Sequence, residues 1–333
     1  MNNITVVGVT TWGVTLGVLA GQSSNNKISI LSRTEIEATK LSTENECSRF
    51  LPGVKFPDGC RFTHYSDKAL EDANVVIVAV PSHTFRENII HIADAIPSDA
   101  ILVSATKGLE MPQKLRMTEI VAQEISQEIC DGMCVISGPN LAKEIVEGKP
   151  SSSVVASINE SNAELVRDII MRPTFRIYTS KDVSGVELCG TLKNIIAIGA
   201  GIVDGLGLGD NSKAAYITRG IAEITRLGVA LGASSSTFAG LAGVGDIVAT
   251  SFSKLSRNRY LGEQIAHGKT IKEITGNMHN VVEGIQTTRA AVELGEEYGI
   301  ELPITEAIYK ILFEDMSPLE GIQELMNRRP TSE

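Results

Sequence analysis

Short β-rich runs alternate with helical stretches between Ile4 and Thr179, and this alternation constrains the fold more than any other feature of the chain. The run Val75–Val80 has no polar break, which is typical of a parallel strand buried on both faces. Strands are predicted at Ile4–Gly8, Lys27–Leu31, Asn74–Val80, Ala100–Ser104, Met133–Ser137, Ser152–Ala156 and Phe175–Thr179. Helices are predicted at Gly13–Gly21, Thr84–Ala95, Leu115–Ile129 and Glu160–Met171. This order predicts βαβ units and an α/β fold with a doubly wound parallel sheet.

The strand signals stop after Asp182. Apolar residues then recur at spacings of three and four from Val186 to Val203, which is the pattern of a packed helix. Further helices are predicted at Ala214–Leu231, Asn258–His267, Ile271–Thr275, Thr287–Tyr298, Ile304–Phe313 and Pro318–Met326, with a helix start at Ser234–Thr237 and a loop at Gly243–Gly245. The sequence therefore predicts two domains, an α/β domain at residues 1–183 and an all-helical domain at residues 184–333.

The charge balance and the cysteine and histidine content exclude several classes of function. The 333 residues carry 30 Lys and Arg against 40 Asp and Glu, a net charge of -10, which argues against a sequence-independent nucleic-acid binder. The five cysteines and five histidines have no metal-ligand spacing, so no metal site is predicted. The longest apolar runs, Val75–Val80 and Ile195–Val203, are shorter than the ~20 residues of a membrane span. Without a signal-peptide pattern, a soluble cytoplasmic protein with no membrane insertion is expected.

The first strand runs directly into Gly8-Val9-Thr10-Thr11-Trp12-Gly13, which has the place and the outer spacing of the dinucleotide-binding turn G-x-G-x-x-G. Gly8 permits the tight turn, and Gly13 allows the following helix to pack closely on the strand. Thr10 replaces the glycine that lets the backbone approach the pyrophosphate. The helix start still offers free N–H groups to a phosphate. The context predicts a Rossmann-type unit, with an ordinary βα turn as the alternative.

The cofactor type is predicted from the end of the second strand. An acidic residue there binds the ribose of NAD, whereas an arginine accommodates the 2′-phosphate of NADP. Arg33 lies 20 residues after Gly13. We therefore expect NADPH to be accepted, with NADH usable too, unless Arg33 is a solvated surface residue.

Polar and basic residues follow two later strands of the predicted sheet. Lys107 is the only charged residue in Ser104–Leu109, and Gly138 and Asn140 follow the strand that ends at Ser137. Ligands of open α/β sheets bind at the carboxyl ends of the strands. Lys107 is therefore expected to face both cofactor and substrate. Asn140 is predicted to cap the next helix.

Lys193 lies in a segment, Leu192–Ile196, that is apolar on most sides of a helix. An isolated buried lysine is costly, so its side-chain stem could instead extend to water. The alternative is a lysine in a partly desolvated cleft, with its pKa lowered enough to exchange protons near neutral pH.

A second cluster of polar residues begins the predicted helix at Ser256-Arg257-Asn258-Arg259. Ser256 is expected to cap this helix. The hydroxyl, guanidinium, amide and free N–H groups suit a phosphate monoester dianion, and a solvated basic helix start is the alternative.

These segments together resemble the bacterial-type NAD(P)-dependent glycerol-3-phosphate dehydrogenases from about residue 4 to about residue 326. The segments that carry the resemblance are VPSH at Val80–His83, ATKGLE at Ala105–Glu110, SGP at Ser137–Pro139, AKE at Ala142–Glu144, LKNIIAIGAGI at Leu192–Ile202, SRNR at Ser256–Arg259 and VVEG at Val281–Gly284. The resemblance implies that residues 1–183 form a dinucleotide-binding Rossmann-type domain, and that residues 184–333 form a helical substrate-binding and catalytic domain. It also implies a homodimer that reversibly reduces dihydroxyacetone phosphate, a small phosphorylated substrate, to sn-glycerol 3-phosphate with NAD(P)H, supplying phospholipid synthesis.

The resemblance also implies residue roles. Lys193 falls on the general acid/base, and Asp246 is expected to hold it in place. The substrate positions are Lys107, Gly138, Asn140, Lys193, Asp246, Ser256, Arg257 and Asn258. The cofactor positions are Gly8, Thr11, Trp12, Gly13, Arg33, Phe50, Lys107, Ala142, Arg257, Val281 and Glu283.

The chain departs from the family pattern at Thr10, where the family turn usually reads G-A-G-S-W-G or close to it, and at Asn140, where Ser or Thr is usual. The Thr10 side chain could cap the following helix and leave the pyrophosphate contact intact, which we favour, or could hold the pyrophosphate away. Two other functions are compatible with the residues. One is another β-hydroxyacid dehydrogenase, against which the SRNR segment argues, and the other is a nucleotide sensor without turnover, against which Lys193 and Asp246 argue.

Overall fold

The structure, a computed structural model, describes residues 1–276, 278 and 281–329. The chain divides into two compact units. Unit 1 comprises Met1–Glu110 and Leu115–Glu187, and unit 2 comprises Met111–Lys114 and Leu188–Glu333. The division falls inside a long helix that begins at Val183, so the predicted boundary lies at the start of that helix. The roles assigned to the two domains stay predictions.

Unit 1 is built on an eight-stranded sheet. Its strands are β1 (Asn2–Val7), β2 (Asn26–Leu31), β3 (Arg61–Thr63), β4 (Val75–Val78), β5 (Ile101–Ser104), β6 (Cys134–Ser137), β7 (Ser151–Ala156) and β8 (Phe175–Ser180). They lie in the order β3-β2-β1-β4-β5-β6-β7-β8. The first six strands have the order of doubly wound dinucleotide-binding sheets, in which the order reverses between β1 and β4. The predicted fold class is confirmed.

The predicted parallel sheet contains one antiparallel pair of strands. β6 and β7 are antiparallel, with Val135 opposite Ala156, whereas β7 and β8 are parallel to each other. Parallel neighbours need a crossover that spans the sheet face. The connection from β6 to β7 holds one helix of five residues, Ala142–Val146. So short a helix does not cover the face, and the chain reverses instead.

Helices cover both faces of the sheet. They are α1 (Thr11–Gly21), α2 (Glu35–Glu44), α3 (Ser66–Leu70), α4 (Phe85–Ile92), α5 (Met117–Glu124), α6 (Gln127–Gly132), α7 (Ala142–Val146) and α8 (Glu160–Ile170). Alternate residues of β4 belong to different clusters, because Val75 and Ile77 pack on one face and Val76 and Val78 on the other. β4 is therefore buried on both faces, as its apolar run predicts.

Two predicted helices differ from the observed ones. The predicted helix Leu115–Ile129 is two helices, α5 and α6, because Ile125 between them has extended backbone angles. The predicted helix Thr84–Ala95 is α4 with a 3-10 turn at each end, Ser82–Thr84 and Ala93–Ala95.

The secondary-structure elements that the structure describes in unit 2 are all helices, joined by turns and loops. Its helices, the first of which begins in unit 1, are α9 (Val183–Gly205), α10 (Asp210–Ala230), α11 (Ser235–Phe238), α12 (Asp246–Phe252), α13 (Arg257–Ala266), α14 (Ile271–Gly276), α15 (Glu283–Tyr298), α16 (Pro303–Phe313) and α17 (Pro318–Met326). α9 is long and apolar enough to cross a membrane, but the whole of its most apolar window is buried inside the protein, as in the core helix of a globular fold.

The predicted loop at Gly243–Gly245 is wrong. Leu241–Gly245 form a π-helical turn that continues into α12 at Asp246. A Cβ at Gly243 would lie 2.0 Å from the carbonyl oxygen of Phe238, so this tight turn depends on glycine.

Candidate active site

The turn after β1 lies where the strand order reverses. Gly8 has φ +106°, and a Cβ there would lie 2.6 Å from Val80 Cγ1. A Cβ at Gly13 would lie 2.4 Å from the carbonyl oxygen of Gly8. Both glycines are therefore required by packing at the carboxyl ends of β1 and β4. This is the crevice in which doubly wound sheets bind dinucleotides.

Thr10 forms the N-cap of α1. Its Oγ1 accepts a hydrogen bond from Gly13 N at 3.0 Å and donates one to the carbonyl oxygen of Ala79 at 2.7 Å. The backbone of Thr10 is extended, with φ -120°, so its backbone angles do not require glycine. The helix-capping alternative for Thr10 is confirmed, and the hydroxyl also ties the turn to the end of β4.

The other cofactor residues assigned in unit 1 lie at several strand and helix ends. Thr11 and Trp12 are the first residues of α1, and the Trp12 ring contacts Phe175 edge to face, with centroids 6.4 Å apart. Arg33 is exposed just after β2, and its backbone N–H donates to Glu37. Phe50 is half-buried in the loop after α2. Ala142 begins α7.

Lys107 and Gly138 are brought together at the carboxyl ends of β5 and β6. Lys107 Nζ donates to the carbonyl oxygen of Gly138 at 3.2 Å. Gly138 has φ +154°, and a Cβ there would lie 3.0 Å from Ser153 Cα. The glycine thus allows β6 and β7 to approach each other while its carbonyl orients the ammonium group.

The prediction that Asn140 caps the next helix is wrong. Leu141 is the N-cap of α7, and no side chain caps this helix. Asn140 Nδ2 instead donates to Ser153 Oγ at 3.0 Å, and Ser153 Oγ donates to the carbonyl oxygen of Ser137 at 3.0 Å. The bond to Ser153 anchors the Asn140 amide on the buried strand β7, so this side chain is not available to cap α7.

Unit 2 holds a buried ion pair between Lys193 and Asp246. Lys193 Nζ lies 2.8 Å from Asp246 Oδ1, and the two side chains are 9% and 3% exposed. Lys193 Nζ also donates to Thr250 Oγ1 at 2.6 Å, and Thr250 Oγ1 donates to Asp246 Oδ1 at 3.0 Å. Lys193 is therefore buried rather than extended to water, and Asp246 and Thr250, themselves hydrogen-bonded to each other, fix its ammonium group.

Thr250 is a residue of this site that the sequence analysis missed. Asp246 and Thr250 are one turn apart on α12, so their side chains share a helix face. That i,i+4 spacing was the available signal. The spacing could be used only if a helix was known to begin at Asp246, and the sequence analysis predicted no helix between the loop at Gly243–Gly245 and Asn258.

Asn194, the neighbour of Lys193 on α9, is linked to the start of α13. Asn258 Nδ2 donates to Asn194 Oδ1 at 2.8 Å, and Asn258 Oδ1 accepts from Gly284 N at 3.1 Å. Both asparagine side chains are buried. This pair joins α9, α13 and α15 beside the Lys193–Asp246 pair.

Ser256 is the N-cap of α13, as predicted, since its Oγ accepts from Arg259 N at 3.2 Å. Arg257, the first residue of the helix, is exposed, and its Nη1 donates to the carbonyl oxygen of Val281 at 2.8 Å. Glu283 begins α15 two residues later. A guanidinium group and a capped helix start at one place can bind a phosphate dianion.

The described part of the chain contains no group of three or more His, Cys, Asp or Glu side chains that could hold a metal ion. His279, one of the five histidines considered in the sequence, lies outside the described residues. The five cysteines are free thiols.

A glycine-bounded turn at the reversal of a doubly wound sheet is typical of nicotinamide-dependent oxidoreductases, and the buried Lys193–Asp246 pair adds a group that can transfer protons. Two family models match the chain, the N-terminus of NAD-dependent glycerol-3-phosphate dehydrogenase over residues 3–163 and its C-terminus over residues 182–323. The chain belongs to this family of NAD(P)-dependent oxidoreductases.

Individual relatives agree over nearly the full length. The glycerol-3-phosphate dehydrogenase [NAD(P)+] of Dehalococcoides mccartyi strain BAV1 is 42% identical over 100% of this chain and 93% of its own length. That of Pelotomaculum thermopropionicum is 43% identical over 99% and 94%. The solved structure of glycerol-3-phosphate dehydrogenase from Coxiella burnetii has a TM-score of 0.92 and 34% identity, and covers 98% of this chain and 99% of that one.

The residues of unit 1 fit a nicotinamide dinucleotide. The backbone of the turn after β1 lies at the reversal of the sheet, and a Cβ at Gly8 would fill the space against β4. The hydroxyls of Ser104 and Ser137 and the indole N–H of Trp12 are buried without a hydrogen-bond partner among the described residues. Buried polar groups of this kind require a ligand group or ordered water.

Proposed function

We propose that this chain catalyses the reversible reduction of dihydroxyacetone phosphate to sn-glycerol 3-phosphate, using NADH or NADPH, and that the product supplies glycerophospholipid synthesis. The observation that carries the proposal is that unit 2 contains both a buried, oriented lysine and a capped basic helix start. The relatives from Dehalococcoides mccartyi and Pelotomaculum thermopropionicum are both named glycerol-3-phosphate dehydrogenase [NAD(P)+], which supports this proposal. We further propose that the protein is a cytoplasmic homodimer.

We assign the proton-transfer step to Lys193. When bound, the reduced nicotinamide supplies a hydride to the substrate carbonyl carbon. Negative charge then develops on the carbonyl oxygen, and the Lys193 ammonium donates its proton to that oxygen to give the secondary alcohol. Asp246 stabilises the ammonium form, and Thr250 fixes its direction. In the reverse direction the neutral amine of Lys193 accepts the same proton.

We assign binding of the substrate phosphate to the start of α13. Ser256 caps the helix, so its remaining free N–H groups and positive dipole end point toward a bound anion. Arg257 adds a charge that can form two parallel hydrogen bonds to phosphate oxygens. Asn258 is held between Asn194 and Gly284, so the turn cannot shift independently of α9.

The experiment is a steady-state assay of NADH and NADPH oxidation with dihydroxyacetone phosphate and with unphosphorylated dihydroxyacetone. The parent should use the phosphorylated ketone far better. Arg257→Ala should lose on the order of 2–5 kcal/mol of transition-state binding to the phosphorylated ketone. Lys254→Ala, which removes an exposed cation three residues earlier, is the matched control and should resemble the parent.

Two results would contradict the proposal. Comparable kcat/KM for both ketones would remove the phosphate from the argument and favour another β-hydroxyacid dehydrogenase. Tight binding of either reduced cofactor without turnover of any tested ketone would favour a nucleotide sensor. Analytical ultracentrifugation of the purified protein tests the homodimer.

A further inference from the structure

Arg259, the last residue of the SRNR segment, has no part in the proposed phosphate contact, yet it is buried. Its Nε and Nη2 each lie 2.7 Å from Asp204 Oδ2. Asp204 lies near the carboxyl end of α9, the helix that carries Lys193 and Asn194. One carboxylate therefore joins the first turn of α13 to the catalytic helix.

The same carboxylate oxygen binds a second buried cation. Lys213 Nζ, on α10, lies 2.8 Å from Asp204 Oδ2. Lys213 Nζ also lies 4.1 Å from the ring centroid of Phe252, the last residue of α12. Glu263 completes the group, since its carboxylate lies 3.2 Å from Arg259 Nη1. We call Asp204, Lys213, Arg259 and Glu263 the Asp204 cluster; its two cations and two anions balance.

The backbones of α9 and α13 touch beside this cluster. A Cβ at Gly201 would lie 1.9 Å from the carbonyl oxygen of Arg259, and one at Gly262 would lie 1.9 Å from the carbonyl oxygen of Ile198. Arg259 N is also the donor to Ser256 Oγ. The Asp204 cluster thus clamps the turn that carries Ser256, Arg257 and Asn258.

Asp204 is too far from the reacting atoms to act on them directly. It lies 11 residues after Lys193 on one helix, a rise of roughly 16 Å at 1.5 Å per residue. Its contacts lead instead to α13, to α10 and, through Lys213, to α12, which carries Asp246 and Thr250. Any effect of Asp204 on catalysis must therefore pass through the placement of these helices.

We propose that Asp204 is a positioning residue for the substrate phosphate, an inference that rests on the function proposed above. By neutralising Arg259 and Lys213 it holds the helix start at Ser256–Asn258 in fixed register with Lys193 on α9. The phosphate and the carbonyl of one substrate must contact these two places at once. A small displacement of one place then misaligns the carbonyl when the phosphate is bound.

The test compares Asp204→Asn with the parent on both ketones. The side chain keeps its size but loses the charge that binds the two cations. We expect kcat/KM for dihydroxyacetone phosphate to fall about 10- to 100-fold, through a higher KM as the loosened helix start binds the phosphate less tightly and through a lower kcat as the carbonyl is misaligned with Lys193. We expect kcat/KM for dihydroxyacetone to stay unchanged, since that ketone has no phosphate to place. Asp204→Glu should recover part of the loss.

Asp210→Asn is the matched control, because it removes an exposed carboxylate at the start of α10 and should resemble the parent. If Asp204→Asn does not fold, Lys213→Met keeps the Asp204–Arg259 pair and should show a smaller loss with the same preference. An equal fall on both ketones, or no change on either, would overturn the proposal.

Binding of inorganic phosphate, measured by calorimetry, separates this proposal from the proposed function. The dissociation constant should rise in Asp204→Asn and not in Asp210→Asn. If phosphate binding weakens in Asp204→Asn alone but the parent does not reduce dihydroxyacetone phosphate, the proposed function fails and the positioning role stands. If the parent reduces the substrate but its phosphate binding is indifferent to Asp204, only the positioning role fails.

Discussion

At the scale of single residues, the proposed role of Lys193 predicts how its replacement changes turnover and stability. Lys193→Ala should lower kcat by ~10²–10⁴-fold, the contribution of a general acid. It should also destabilise the fold by about 3–5 kcal/mol, because Asp246 is left buried without its partner. The double variant Lys193→Ala, Asp246→Asn should regain most of the stability but none of the turnover. Rapid-mixing assays and thermal unfolding measure the two effects separately, and near-normal kcat in Lys193→Ala would exclude the proton-donor role.

Thr10 is the residue at which the chain departs from the glycine turn of its family. Its hydroxyl is used inside the protein, on Gly13 N and on the carbonyl oxygen of Ala79. We therefore expect the parent to bind NADPH and NADH, and Thr10→Gly to bind them with similar dissociation constants. Glycine is itself an acceptable N-cap, but the variant also loses the hydrogen bond to the carbonyl oxygen of Ala79, so the stability cost should be about 1–2 kcal/mol.

Fluorescence titration of both reduced cofactors on the parent and on Thr10→Gly checks this prediction. Binding that is absent in the parent and restored in Thr10→Gly would show that the threonine obstructs the pyrophosphate.

At the scale of secondary-structure elements, the crossing of α9 and α13 depends on glycine. Gly262→Ala would place a methyl group 1.9 Å from the carbonyl oxygen of Ile198, where only backbone can move away. Such overpacking costs about 1–3 kcal/mol or more. We expect a lower melting temperature and a higher KM for dihydroxyacetone phosphate.

The control for this crossing is Gly276→Ala, at a helical glycine where a Cβ would meet nothing within 4 Å. A melting temperature for Gly262→Ala equal to that of the control would contradict the contact.

The strands with strong apolar patterns were predictable, and the weak elements were not. β1, β2, β4 and β5 read as β-rich apolar runs. β3 has three residues, Arg61–Thr63, of which none is fully buried, so it lacks an apolar pattern and depends on pairing with β2. The reversal between β6 and β7 is set by the connection between them rather than by either strand.

The candidate site was predictable where a residue conflicts with its surroundings or marks a helix start. Lys193 is a charge in an apolar helix, and Ser256 is a hydroxyl at a helix start. Thr250 and Asp204 carry no such conflict, because a threonine or an aspartate on a helix surface is ordinary. Their contacts depend on how α9, α10, α12 and α13 pack, which spacing along the chain does not reveal.

At the scale of the whole molecule, the stability should depend on pH through Glu223, a buried carboxylate that the proposed chemistry does not use. It accepts hydrogen bonds from Ile304 N at 2.7 Å and Thr305 N at 3.1 Å, and so caps the start of α16. Burial nevertheless raises its pKa from 4.5 to about 7, an effect that these hydrogen bonds and the nearby Arg226 reduce without reversing.

A folded-state pKa above the unfolded value means that the folded protein binds the proton more tightly. The contribution of Glu223 is therefore fully present below pH 4.5 and is lost as the pH rises to about 7. With one pKa unit equal to about 1.4 kcal/mol, the loss is on the order of 3 kcal/mol.

Denaturant unfolding of the parent and of Glu223→Gln between pH 4.5 and 8 isolates the contribution of Glu223 to the free energy of unfolding, because the contributions of the other carboxylates cancel in the difference. The unfolding free energy of the parent should fall by about 3 kcal/mol relative to that of Glu223→Gln across this window. A constant difference between the two would mean that the Glu223 carboxylate ionises in the folded protein as it does in the unfolded chain, and that its hydrogen bonds to α16 outweigh its burial.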